Sequence, residues 1–103
     1  MQVVMVKSPG SMLETIKLEE INLDFLQSKV GGCIDIVDLN DNIDMVINDE
    51  MLYSGEDPNF SYVNGAGQRL DIFGTVVFTG CDDEGSSVGL SSEQVVKLFT
   101  LFK

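Results

Sequence analysis

Carboxylates are the side chains that this sequence offers in number. Between Val30 and Gln68 there are eight acidic residues and neither Lys nor Arg; Lys29 and Arg69 bracket the interval. A calcium loop is the most specific chemistry such a run could encode. Asp38, Asn40, Asn42, Asp44 and Asp49 fall near its positions one, three, five, seven and twelve. Ile43, however, stands where the sharp-turn glycine belongs, and Asp49 where a bidentate glutamate does. The flanks read as strands, so the same letters spell an Asn/Asp hairpin turn, and no metal or cofactor is expected.

Other chemistries fare no better. An acid-base pair of carboxylates needs one member in an apolar pocket. With no His in the chain, Ser-His-Asp and Cys-His pairs cannot form, and a non-enzymatic chain is expected. Gly65-Ala66-Gly67 hints at a phosphate loop with Arg69 beside it. The third glycine of that fingerprint would fall on Leu70, and no P-loop Lys follows. What remains is a contact surface that a Lys- and Arg-rich protein accepts in place of nucleic acid. Its candidate residues are Asp35, Asp41, Asp44, Asp49, Glu50, Glu56 and Asp57, with Asp35 and Asp44 expected on the outer face of a hairpin and Asp41 at its tip. The competing reading is an acidic face that keeps the chain soluble.

The chain has 103 residues, enough for one core, and 44% are apolar, enough to fill it. Seventeen Asp and Glu against six Lys and Arg give a net charge of −11. That charge repels phosphates, so neither direct nucleic-acid binding nor attachment to an anionic membrane is expected. No apolar run approaches the ~20 residues of a membrane span, and Met1–Val6 lacks a basic leader and a cleavage site. Cys33 and Cys81 are too few for a disulfide scaffold and do not form a CxxC pair, which points to a reduced, cytoplasmic setting. Cys33 is expected as a small buried hydrophobe in a strand.

The elements that position the carboxylates read as follows. Val3–Val6 is a short apolar run closed by Pro9-Gly10, predicting a strand covered on both faces. Met12–Leu18 reads as a half-exposed strand. Residues 22–30 read as a helix with Asn22 as N-cap, a Leu23/Leu26/Val30 stripe and Gly31-Gly32 as the stop. Residues 33–37 and 43–48 predict a hairpin; pairing Ile36 with Met45 and Ile34 with Ile47 would keep all four on one face. Residues 49–68 are the least regular, and a partly ordered lid is expected there, with one or two of Tyr53, Phe60 and Tyr62 against the core. Leu70–Thr79 is the strongest strand, with Gly74 marking a bulge or close approach. Ser91 and Gln94 form a capping box for a last helix, on which Phe99 and Phe102 are expected as anchors. These elements predict a single α+β domain over 1–103: a mixed, mostly antiparallel sheet of about five strands packed by two helices.

Four stretches carry a resemblance. Val30-Gly-Gly-Cys-Ile-Asp-Ile-Val-Asp-Leu, Asp44 to Glu50, Asp71-Ile-Phe-Gly-Thr-Val-Val-Phe-Thr-Gly-Cys-Asp-Asp-Glu-Gly and Leu90-Ser-Ser-Glu-Gln-Val-Val-Lys-Leu-Phe resemble a family of small uncharacterised domains of bacteria, their phages, plasmids and mobile elements. The resemblance implies a fold and a genomic setting and brings no active site with it. The expectation is therefore an acidic protein-binding module, an accessory or counter-defence protein engaging a basic, nucleic-acid-binding protein. The alternatives are a small-ligand or cation-binding domain using residues 49–68, and a homodimer whose outer sheet face, with Thr15, Val37 and Val46, is covered by a second copy.

Overall fold

The computed structural model describes residues 1–39, 41–51, 55, 57–64 and 66–102. Asn40, Tyr53, Glu56 and Gly65, which enter the readings above, lie outside the described residues. The elements are β1 (Gln2–Lys7), β2 (Glu14–Leu18), α1 (Leu23–Val30), β3 (Ile34–Asp38), β4 (Ile43–Asn48), β5 (Pro58–Val63), β6 (Arg69–Phe73), β7 (Val76–Cys81), β8 (Ser87–Val88) and α2 (Ser92–Leu101). The main sheet runs β2–β1–β7–β4–β3, with β8 added beside the end of β7, and β5 and β6 form a separate two-stranded ribbon. Every described pairing is antiparallel. The α+β class is as the sequence predicts.

Both helices begin where local chemistry tells them to. Asn22 accepts the Phe25 amide at 2.9 Å, and the chain leaves α1 through Gly31 at φ 86°, a left-handed turn that a side chain would strain. Ser91 and Gln94 complete the capping box of α2.

The sheet separates two apolar clusters. On one side Val4, Val6, Val46 and Val77 meet Leu26 and Val30 of α1. On the other, Met5, Ile43, Met45, Ile47, Val76 and Phe78 meet Leu98 of α2 and Ile72 of the ribbon. Alternation along a strand sends successive side chains to opposite faces. A sheet apolar on both faces therefore has no polar face to fix its register by hydrophobicity.

The hairpin register differs from the predicted one for this reason. Ile36 pairs with Val46, Ile34 with Asn48, Asp35 with Ile47 and Asp38 with Asp44. Ile34 belongs to the α1 side, whereas Ile43, Met45 and Ile47 belong to the α2 side. Thr15, Val37 and Val46 do not share one outer face: Val46 is fully buried under α1, Val37 is half-buried on the α2 side, and Thr15, across from Met5, is exposed.

The predicted strand Leu70–Thr79 is two strands. Gly74, at φ 77°, turns the chain between β6 in the ribbon and β7 in the main sheet. The ribbon's other strand, β5, lies inside the segment read as irregular, and its Phe60 and Tyr62 do pack on the core. Asn59 ties the ribbon down. Its Nδ2 donates to the carbonyls of Lys7 (2.9 Å) and Gly74 (2.8 Å), and its Oδ1 accepts from the Lys7 ammonium at 2.9 Å.

On α2 the anchors are Leu98, fully buried, and Phe102, whose ring lies 4.7 Å from Phe60 and 5.0 Å from Phe78 between centroids. Phe99 is 44% exposed and does not anchor the helix. Leu23, placed on the buried stripe of α1, is exposed as well.

Candidate functional site

The acidic residues of the hairpin do not form one patch. Asp35 is exposed on β3, and Asp49 and Glu50 are exposed in the turn after β4. The Asp49 amide donates to the Cys33 carbonyl at 3.0 Å, which places this turn beside the start of β3. Asp35, Asp49 and Glu50 therefore share one end of the hairpin. Asp41 lies at the other end, where it is ion-paired with Lys97, and Gln94 donates to its carbonyl at 2.9 Å. The tip is held by α2. Asp57 is exposed at the entry to β5, where its carbonyl accepts from the Gly74 amide. Glu56 lies outside the described residues.

Asp44 corrects the sequence reading most sharply. The alternation of the hairpin predicts it outward, and it is buried. On β4 it shares the α1-side face with Val46, directly across from Asp38 on β3 and Thr79 on β7. Burial pushes its carboxyl above the usual range, the Asp38 carboxylate pushes the same way, and a hydrogen bond from the Cys81 thiol pulls it back. The Cys81 thiol is itself raised, first by burial and then by Asp44, Asp82 and Asp38. A thiol held protonated is a poor nucleophile. Thr79 is fully buried, and its Oγ1 has no hydrogen-bond partner among the described residues. Cys33, expected inside, is exposed, because the chain reaches β3 only at Ile34.

The calcium reading fails on distance. Asp38 and Asp44 face each other, but Asp49 lies five residues along from Asp44, roughly 17 Å at the rise of a strand. Among the described residues no group of three His, Cys, Asp or Glu side chains is placed to hold a metal ion. The turn joining β5 to β6 is committed too. Asn64 Oδ1 accepts the amides of Ala66 (2.9 Å) and Gln68 (3.0 Å), which a phosphate would need. Arg69 is paired with Asp71 at 2.9 Å, and the Ser61 hydroxyl, with Arg69, holds that carboxyl below the usual range.

The outer border of β3 is the remaining feature of this end. β3 is the last strand of the main sheet, and among the described residues nothing pairs with its far side. The amides of Leu39 and Asp49 bond across to Ile43 and Cys33. Odd-numbered residues of the strand thus face β4, and the backbone groups of Ile34, Ile36 and Asp38 face outward. The Ile36 amide is taken up by its neighbour, donating to Asp35 Oδ1 at 2.9 Å. Ile36 itself is 46% exposed.

Over residues 1–103 the chain matches the family model of DUF3846, a domain of unknown function. The chain belongs to the DUF3846 family. No curated protein and no solved structure matches it. Among the described residues, no helix of this DUF3846 domain is long and apolar enough to cross a membrane. The outward-facing backbone of β3 was within reach of sequence reasoning only through the register. A hairpin with polar letters in its turn gives no local sign of which of its strands lies at the border.

Proposed function

We propose that this DUF3846 domain is a non-enzymatic, acidic protein-binding module that engages a basic, nucleic-acid-binding protein in the cytoplasm. The setting suggested by the resemblance makes it an accessory or counter-defence protein of a phage or mobile element. One observation carries the reading: Asp35, Asp49 and Glu50 are exposed at one end of the β3–β4 hairpin, in an interval of the chain without Lys or Arg. Such a surface offers a basic groove the charge it is built to hold and speeds encounter electrostatically. Asp41 and Asp44 are outside this surface, the first paired with Lys97 and the second buried.

The test is affinity capture from a bacterial lysate with the parent and with a variant carrying Asp35→Asn, Asp49→Asn and Glu50→Gln. The parent should retain a defined basic protein at low salt and release it as salt rises, because exposed charges are screened over ~8 Å at physiological ionic strength. The variant should lose it. Equal retention by both would reduce the acidic end to a solubility device.

A further inference from the structure

Among the described residues nothing pairs with the outer side of β2 or of β3, and these two borders of the main sheet are chemically different. β2 carries Lys17 and Glu14, a mixed border of the kind that discourages pairing. β3 carries Asp35 and Asp38, no basic residue, and Ile36 with nearly half of its surface in water. Its outward donors and acceptors at Ile34 and Ile36 lie two residues apart, which is the spacing an added strand requires.

We propose that β3 receives an extended, Lys- or Arg-bearing segment of the partner as an additional antiparallel strand. This rests on the acidic-surface reading above and names its mode of binding. The charge on the page selects the occupant. A second copy brings another chain of net charge −11 and a border with the same Asp35 and Asp38 and no cation, so it adds repulsion and no opposite charge. A basic strand meets opposite charge at both positions and an apolar surface between them. The Asp35–Ile36 hydrogen bond is the gate. In the free protein it satisfies the one outward amide at the centre of the border. A cationic side chain opposite Asp35 draws the carboxylate away and frees that amide for a partner carbonyl. Reading β3 backward from Asp38 to Ile34, the fitting sequence alternates as Lys-Thr-Val-Lys-Val. Its first Lys lies opposite Asp38, its central Val opposite Ile36 and its second Lys opposite Asp35.

The experiment is an NMR titration of the full chain with a synthetic peptide containing Lys-Thr-Val-Lys-Val, alongside the same peptide N-methylated at the central Val. The parent peptide should shift the Ile36 amide and slow its exchange with solvent. N-methylation, which removes the donor to the Ile36 carbonyl, should weaken binding at least about tenfold. Ile36→Pro, a substitution tolerated at sheet borders because the lost N–H faces outward, should weaken it similarly. If both peptides bind equally, strand addition is overturned while the acidic-surface reading stands. If neither binds at low salt, both readings fall. If sedimentation shows a dimer without peptide that Ile36→Pro dissolves, the border belongs to a second copy and the proposal is overturned.

Discussion

Asp44 pays for its place in the sheet with its proton affinity. Buried on the α1-side face and set opposite Asp38, it has a carboxyl that is raised in the folded chain relative to the unfolded one. A group raised in this way contributes stability that is fully present below the unfolded carboxylate range, near 3.9. That stability is lost as pH rises through the folded value. Asp44→Asn removes the titration but keeps an oxygen for the Cys81 thiol. Urea midpoints of parent and variant measured at about pH 4 and pH 7 should therefore diverge, with the variant gaining on the parent as pH rises. A difference that stays constant across that interval would mean that Asp44 is as well solvated in the folded chain as in the unfolded one. The letter alone could not reveal this. An Asp between Ile43 and Met45 looks like the polar half of an alternating strand, and only a sheet covered on both faces turns it inward.

At the scale of elements, α2 is held by Leu98 and Phe102. Leu98→Ala should cost about 2–5 kcal/mol, in the range of buried leucines, whereas Phe99→Ala should cost less than about 1 kcal/mol, as exposed substitutions do. Chemical denaturation of the two variants separates them, and the reverse order would put the helix on the sheet with the other flank. Both helices were legible in the sequence because their caps are local: Asn22 with Gly31, and Ser91 with Gln94, act within a turn of the residues they satisfy. Adjacent residues of a helix lie about 100° apart, so composition could not decide between Leu98 and Phe99 on a broad apolar stripe. The ribbon was hidden for a different reason. Its strand β5 opens on Pro58-Asn59 just after Asp57, letters that spell a turn, and its contact with the core depends on residues distant in sequence. The candidate site was legible as a set of acidic letters, and its division into an exposed end, a clasped tip and a buried Asp44 was not. That division follows from register and from Lys97 on a distant helix.

The whole molecule measures 33 × 30 × 26 Å and carries a net charge of −11. At an ionic strength of about 0.01 M the screening length is ~30 Å, so every carboxylate feels nearly every other; at 0.15 M it is ~8 Å and only neighbours interact. Self-repulsion opposes compactness, and the melting temperature should rise as sodium chloride is increased over that range. A thermal scan by circular dichroism is sufficient, and a flat or falling trend would show that local ion pairs such as Asp41–Lys97 outweigh the net charge.

The separation of the apolar interior into two compartments has a mechanical consequence. The compartment under α1 is closed by that helix and by the valines of the sheet. The compartment under α2 is shared with the ribbon, which is seated by Ile72, Phe60 and Tyr62, tied by the carboxamide of Asn59 and joined to the sheet through Gly74. Phe60 of the ribbon packs on Phe102, so α2 takes part of its seat from the ribbon. Native-state hydrogen exchange should therefore show the amides of the ribbon and of α2 opening together and at lower cost than those of α1 and the strands beneath it.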